Sequence, residues 1–391
     1  MGLYLHIPFC ASICHYCDFA KSANSSKGQI EAYFETLKSH VRAILALGLL
    51  GELKGFSSVY FGGGTPSLFQ EEIKELLDLM RPLLLENAEI TLEANPEHVE
   101  QKRLTAWKKA GVNRISLGIQ SFSAKGLKAL TRTHSEKTAL KALDLSLSHF
   151  ENTNTDLIFA WEGQTLRDLE RDLSIVLDRK PAHVSFYGLT YEGNTVLARR
   201  YRRGVLEPIK EDEEAKFYHF GREMLKDTYL HEEVSNFARA SFEARHNSLY
   251  WRDQPYLGLG VGAHGYLFDG CVGLRYEIPY KMQRFLQSGA GPIKKGSLKD
   301  SLAAFGGEAE VRDEKDWLLE TIWSGLRTAR GVDISYLERV SGRRFCPTLK
   351  VKAAMAEGCL IKKAHIFYLS PDEWFRESSF ALAVFESFRD S

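Results

Sequence analysis

Residues 3–17 read Leu3-Tyr4-Leu5-His6-Ile7-Pro8-Phe9-Cys10-Ala11-Ser12-Ile13-Cys14-His15-Tyr16-Cys17. Leu3–Ile7 is a strand candidate, and the loop after it carries three thiols. Working outward, five more strand candidates follow: Ser58–Phe61, Glu89–Glu93, Arg114–Gln120, Thr155–Phe159 and His183–Leu189. Helix candidates lie between them, near 29–47, 70–85, 97–110, 135–149 and 164–179. In the second of these, Ile73, Leu76, Leu77 and Met80 have the i, i+3, i+4, i+7 spacing of one buried face. A series of six strand-then-helix units predicts a parallel sheet with right-handed crossovers. The polar punctuation separates a doubly wound sheet from a barrel. Gly62-Gly63-Gly64 follows the second strand, Glu93 and Asn95-Pro96 close the third, Gln120 closes the fourth, and Thr155-Asp156 opens the fifth. Chemically capable residues thus gather mainly at strand C-termini, as in (β/α) barrels. The expected fold is α/β, an incomplete (β/α)6 barrel.

The composition is that of an ordinary soluble globular protein. Of 391 residues, 51 are Lys or Arg and 51 are Asp or Glu, 44% are hydrophobic and 26% charged. Zero net charge argues against a non-specific nucleic-acid binder. The longest apolar candidate for a membrane span, Ala43 to Gly51, is nine residues, against about 20 for a spanning helix. The N-terminus has no basic n-region, and Phe9 before Cys10 does not suit a signal or lipoprotein cleavage site. The reading is a cytoplasmic protein with no membrane span and no nucleic-acid partner.

After Leu189 the pattern changes. The run Arg199-Arg200-Tyr201-Arg202-Arg203 reads as a solvated helix face, and with the charged stretch 210–216 it marks a boundary. Residues 229–285 are aromatic and Gly-rich, and Ser288–Lys295 (SGAGPIKK) reads as a linker. In the last module Leu319, Ile322, Trp323 and Leu326 are expected on one helix face, with Gly331 at the helix end. Two further helices and a strand at Ile366–Leu369 predict a small winged-helix-like α+β domain. Its 13 Lys/Arg and 13 Asp/Glu over 310–391 do not suit DNA.

Cysteines stand at 10, 14, 17, 271, 346 and 359. This is too sparse for a disulfide framework, and the CxxxCxxC cluster reads as a ligand set. Three thiolates on one loop can each hold one iron of a 4Fe–4S cube, leaving the fourth iron open to a small chelating molecule. Zinc with His15 as a fourth ligand is the competing reading, made awkward by the adjacency of Cys14 and His15.

The stretch from Tyr4 to Cys17, Asp18-Phe19 and the later Gly62-Gly63-Gly64-Thr65-Pro66-Ser67 resemble the radical S-adenosylmethionine (SAM) superfamily. Within it, the chain is similar to the oxygen-independent coproporphyrinogen III oxidase-like group, most of all to its short heme-chaperone branch. The resemblance implies a 4Fe–4S cluster on Cys10, Cys14 and Cys17. It implies SAM contacts at Tyr4, Gly63, Gly64, Thr65, Glu93, Gln120, Arg132 and Asp156. A reduced cluster then passes one electron into the bound sulfonium. The implied organisation is a radical SAM barrel over 1–205, an extension over 206–288, and a C-terminal domain over 289–391.

The extension contains His246-Asn247-Ser248-Leu249-Tyr250-Trp251. Read cold, this is a core histidine among aromatics. The pattern HNxxYW resembles the motif that marks the heme-chaperone branch, which implies heme binding with His246 as first-choice iron ligand. His264 and Cys271 are second choices, and Cys346-Pro347 carries little weight. Two features depart from the oxidases: they have CxxxCxxCxC where this chain has Phe19, and a long segment before the cluster where this chain has nine residues before Cys10. The expected function is therefore a heme chaperone that passes heme to acceptor proteins, with an electron donor such as a flavodoxin or ferredoxin. Little or no coproporphyrinogen III oxidase turnover is expected, and SAM cleavage is left open. The alternative is the oxidase itself.

Overall fold

A computed structural model describes residues 1–46, 55–269, 272–288 and 307–389. Strand–helix units run from β1 (Gly2–Ile7) and α1 (Lys27–Ala46) to β2 (Phe56–Gly63), α2 (Gln70–Met80), β3 (Leu84–Ala94) and α3 (Gln101–Ala110). They continue through β4 (Arg114–Gln120), α4 (Ala124–Ala129), α5 (Glu136–His149), β5 (Asn152–Phe159), α6 (Leu166–Arg179) and β6 (His183–Gly188). Local signals set these boundaries. Thr165 and Asp168 form a reciprocal capping box at the start of α6. Gly111, at φ +114, closes α3 in a left-handed conformation that suits glycine. Strands covered on both faces read as continuous apolar runs, and six of the seven residues of β4 are buried.

The six strands pair in parallel and in sequence order. They belong to a 12-stranded sheet, whose other members come from the following segment. That segment comprises α7 (Val196–Arg202), α8 (Glu211–Leu225), β7 (Leu230–Glu233), β8 (Asn236–Ala238), α9 (Arg245–Trp251) and β9 (Tyr256–Leu259). After them come β10 (His264–Asp269), β11 (Val272–Glu277), α10 (Met282–Gln287) and β12 (Glu308–Arg312). β9 pairs in parallel with β1, while β8 pairs antiparallel with β6. The two ends of the sheet, β7 and β12, do not pair with each other, so the barrel stays open.

The C-terminal module contains α11 (Glu314–Leu326), β13 (Val332–Asp333), α12 (Ile334–Ser341), β14 (Arg344–Phe345), α13 (Leu349–Ala356), β15 (Leu360–Lys363), β16 (Ile366–Leu369), α14 (Glu377–Phe385) and β17 (Phe388–Arg389). It has its own core around Trp317, Leu318, Ile322, Leu337, Phe367 and Val384. The barrel core runs from Leu3 to Phe285.

The α/β open barrel with a smaller α+β module is the fold expected from the sequence. Details differ. β5 begins at Asn152 rather than Thr155, because Asn152–Asn154 pair with Arg114–Ser116 and bury polar side chains that hide the strand. Asp156 is therefore mid-strand. The buried seam of α11 begins with Trp317 and Leu318 rather than Leu319. That helix ends at Leu326, where the Thr328 N–H and hydroxyl both donate to the Gly325 carbonyl, and Gly331 lies in the following turn. Arg199, Arg202 and Arg203 are exposed, as a solvated face requires. Most of the expected linker at 288–295 lies outside the described residues. Among the described residues, no helix is long and apolar enough to cross a membrane.

Candidate functional site

The loop after β1 opens onto a cavity of about 890 Å³ inside the barrel. Cys10, Cys14 and Cys17 all line it, as free, half-buried thiols. The loop is folded by its own backbone. The Cys10 N–H donates to the Ser22 carbonyl at 3.0 Å, and the Cys17 N–H to the Cys14 carbonyl at 3.2 Å. Burial pushes the Cys10 thiol up to about 11, against the pull of a Thr65 hydrogen bond, and burial also raises Cys17. Among the described residues, no three His, Cys, Asp or Glu side chains converge on a single metal-ion position.

Gly63, Gly64 and Thr65 leave β2 directly against that loop. The Gly64 N–H donates to the Ile7 carbonyl and the Thr65 N–H to the Phe9 carbonyl, both at 2.8 Å. Side chains are excluded here: a Cβ on Gly64 would lie 2.7 Å from the Phe9 oxygen, and one on Gly63 2.4 Å from the His6 ring. The Gly63 N–H donates to Glu93 Oε2 at 3.0 Å. These three donors are thus already engaged. The loop's carbonyl edges and the Glu93 carboxylate are the groups suited to an ammonium.

Glu93 lies one residue before the end of β3. The Tyr60 hydroxyl donates to its Oε1 at 2.8 Å. Burial, then the charge of Asp156, pushes its pKa up to about 7, against the Tyr60 and Gly63 hydrogen bonds and the nearby Arg114. Arg132 spans the cavity mouth. Its guanidinium donates to Cys14 Sγ at 3.4 Å, Asn95 Oδ1 at 2.6 Å and the Gly118 carbonyl at 2.9 Å. Asn95 in turn donates to Thr65 Oγ1 at 3.3 Å, joining cysteine loop, glycine loop and the ends of β3 and β4. Gln120 lines the cavity in a left-handed conformation at φ +69. Asp156 also lines it, accepts from Asn154 Nδ2 at 2.6 Å, and has its pKa raised by burial.

The structure therefore brings eleven residues to one cavity: the three cysteines, Gly63, Gly64, Thr65, Glu93, Asn95, Gln120, Arg132 and Asp156. Asn95 and Arg114 were missed as site residues. Asn95-Pro96 was legible as a strand ending, but nothing marked its side chain. Arg114 is 1% exposed at the start of β4 and lines the cavity floor. Tyr4 is not among the lining residues; its hydroxyl pairs with His6 Nδ1 at 2.9 Å.

His246 lies away from the cavity mouth. It is 1% exposed, with Nδ1 at 2.8 Å from Ser58 Oγ, and Nε2 has no hydrogen-bond partner. Its ring packs near Tyr60 at 5.3 Å and Tyr250 at 5.4 Å. The N–H groups of Arg245 and His246 donate to the Glu89 carboxylate, pinning the start of α9. Asn247 lines the barrel cavity, whereas Ser248 and Trp251 line a different one. The motif is thus split across a helix rather than gathered around one flat ligand. His264 is exposed, Cys346 is exposed, and Cys271 lies outside the described residues.

Comparisons with known proteins show the family and the fold. Residues 4–176 match the Radical SAM superfamily model. The heme chaperone HemW of Lactococcus lactis subsp. lactis is 36% identical over 340 residues, covering 86% of this chain and 83% of the relative. The heme chaperone HemW of Bacillus subtilis is 36% identical over 270 residues, 68% of this chain and 70% of the relative. The solved coproporphyrinogen III oxidase HemN of Escherichia coli, a radical SAM enzyme, superposes with a TM-score of 0.77 over 98% of this chain and 89% of that one. At 20% identity, that likeness shows the fold alone.

Proposed function

We propose that this chain, which belongs to the HemW family of radical SAM proteins, binds heme and passes it to acceptor proteins. The observation that carries the reading is the reach of the similarity. It covers 83% of a heme chaperone and extends well past residue 176, where the superfamily match ends.

Membership of the radical SAM superfamily implies a 4Fe–4S cluster and SAM. The residues present fit both groups. Three free thiols share one loop at the cavity mouth, and the adjoining 890 Å³ offers a carboxylate, carbonyl edges and a guanidinium side by side. Cys10, Cys14 and Cys17 would hold the cluster. Glu93 and the Gly63–Thr65 loop would receive the ammonium of SAM, Arg132 its carboxylate, and Gln120 and Asp156 its nucleoside end. When bound and reduced, the cluster supplies one electron to the sulfonium. The chain's own residues orient the ligand: Tyr60 and Gly63 fix the Glu93 carboxylate, and Asn95 fixes Arg132.

Glu93→Gln should weaken SAM binding by about 10- to 100-fold, the worth of a charge-assisted hydrogen bond of roughly 1.5–3 kcal/mol. Iron content should not change. Calorimetric titration of the anaerobic protein checks this, and unchanged affinity overturns the pocket as drawn. The pH dependence has a definite sign. With its pKa pushed up to about 7, above the ordinary glutamate range, Glu93 is mostly protonated below 7 and must ionise to receive a cation. SAM affinity should therefore rise as pH rises through 7. Asp156, Arg114 and Tyr60 are the other charged or titratable groups acting on Glu93.

For heme, we place the iron on His246. Its Nε2 is an unpaired buried nitrogen, while Ser58 orients Nδ1 as ligating histidines usually require. The ring is enclosed, so ligation needs α9 to turn outward, releasing the two N–H bonds to Glu89. His246→Ala should alter the Soret band of the heme-loaded protein. An unaltered spectrum moves the ligand elsewhere.

A further inference from the structure

Helix α7 carries the run Arg199-Arg200-Tyr201-Arg202-Arg203 at its C-terminal end and packs directly on the cysteine loop. The Leu197 N–H donates to the His15 carbonyl at 2.9 Å, so the helix is bonded to the residue that follows Cys14. The Leu197 side chain belongs to a small apolar cluster with Leu130, Trp161 and Leu206, and Tyr16 packs against that cluster from the loop. The His15 N–H donates to Thr131 Oγ1 at 2.9 Å. The middle of the cysteine loop is thus clamped between α7 and the turn after α4.

The outer side of α7 is basic. Arg199, Arg202 and Arg203 are exposed, and Arg200 is half-buried. Arg199 and Arg202 donate to the carbonyls of Asn194 and Gly193 at 2.8 and 2.9 Å, which braces the two side chains but leaves their charge uncompensated. Among the described residues, no carboxylate forms an ion pair with any of the four arginines. The stretch 192–207 holds these four against two glutamates, Glu192 and Glu207. The acidic run that follows, Glu211–Glu214, occupies the first turn of α8, where it complements that helix's own dipole. In a chain with 51 basic and 51 acidic residues, α7 is therefore a locally positive face.

Apolar side chains are exposed on the same two elements. Tyr201 and Val205 stand out on and just after α7, and Ile13 and Phe19 on the cysteine loop. A few exposed apolar groups beside unpaired charges suit a small, electrostatically steered contact, the kind made in redox encounters. One tyrosine and one valine on a seven-residue helix are too little apolar surface to seat it in a lipid interface.

We propose that α7 and the adjoining edge of the cysteine loop form the docking surface for a small acidic one-electron carrier protein. The proposal rests on the cluster reading and adds to it the face from which the electron arrives. One electron leaves the reduced carrier and enters the cluster held by Cys10, Cys14 and Cys17, and no bond is made or broken. The arginines attract and orient the acidic face of the carrier. The contact of Leu197 with the His15 carbonyl fixes that face beside Cys14.

The test uses anaerobically reconstituted full-length protein with an acidic flavodoxin as the probe. Calorimetry reports binding of the flavodoxin, and bleaching of the cluster's visible absorbance reports reduction by its hydroquinone. Photoreduced deazariboflavin, a small donor that needs no docking, is the control. In wild-type protein, both affinity and reduction rate should fall as salt is added. The triple variant Arg199→Gln/Arg202→Gln/Arg203→Gln should bind flavodoxin about tenfold or more weakly and lose most of the salt dependence. Its iron content, melting temperature and reduction by deazariboflavin should match wild type. Arg203→Glu, which breaks no side-chain hydrogen bond among the described residues, should weaken binding in the same direction. If these variants bind flavodoxin and are reduced by it like wild type, or if iron-loaded wild-type protein neither binds flavodoxin nor is reduced by it, the surface is wrong and the cluster reading stands. If wild-type protein binds phosphatidylglycerol vesicles through the arginines while reduction by flavodoxin ignores them, the face belongs to a membrane and the proposal is overturned. If no iron is taken up at all, the cluster reading falls and the proposal with it.

Discussion

Substitution of Cys10, Cys14 or Cys17 by alanine is expected to abolish cluster assembly. Anaerobically reconstituted wild-type protein should contain about four irons and four sulfides per chain, and each variant close to none. On the proposed reading each thiol would hold one iron, so loss of any one leaves the cluster a ligand short. The fold should survive, because the cysteines are half-buried on a loop outside the hydrophobic core. SAM affinity should fall with the cluster, since Glu93, Gln120 and Arg132 retain only part of the site. Stoichiometric zinc in anaerobically purified wild-type protein, with no iron uptake, would overturn the assignment.

Incubation of the reconstituted protein with coproporphyrinogen III, SAM and an electron donor is expected to give no multiple-turnover formation of protoporphyrinogen IX. The likeness to the oxidase structure is one of fold, at 20% identity, and a shared fold does not fix a shared reaction. Phe19 stands at the rim of the cysteine-lined cavity, 65% exposed, in place of the further cysteine of the oxidase pattern. An exposed apolar ring at that point neither ligates metal nor donates a proton. Decarboxylating two propionates through carbon radicals also requires a closed site that excludes water. Anaerobic chromatography of the porphyrins decides the matter, and sustained protoporphyrinogen formation would promote the oxidase reading over the chaperone.

The cysteine loop and the glycine loop were legible because their chemistry is local. A thiol cluster within eight residues, or three consecutive glycines after a strand, marks itself in one stretch of chain. Glu93 and Gln120 were legible as polar residues closing apolar strands, which in a parallel barrel puts them on one rim. Asn95 was not. It matters because Arg132, thirty-seven positions away, reaches its Oδ1, and no local pattern encodes such a meeting. Arg114 was hidden in the same way, at the start of a strand where a charged residue ordinarily faces solvent.

The sequence by itself determined the strand–helix order, and with it the parallel sheet, because apolar periodicity and glycine or asparagine punctuation act within a few residues. It also determined that three cysteines share a loop. Only the tertiary structure decided how the glycine loop's N–H groups are used, since their acceptors are carbonyls at the exit of β1 and the carboxylate of Glu93 on β3. Only the tertiary structure split HNxxYW, sending His246 to the barrel and Trp251 to the second cavity, since burial on two sides of one short helix depends on what packs against each side.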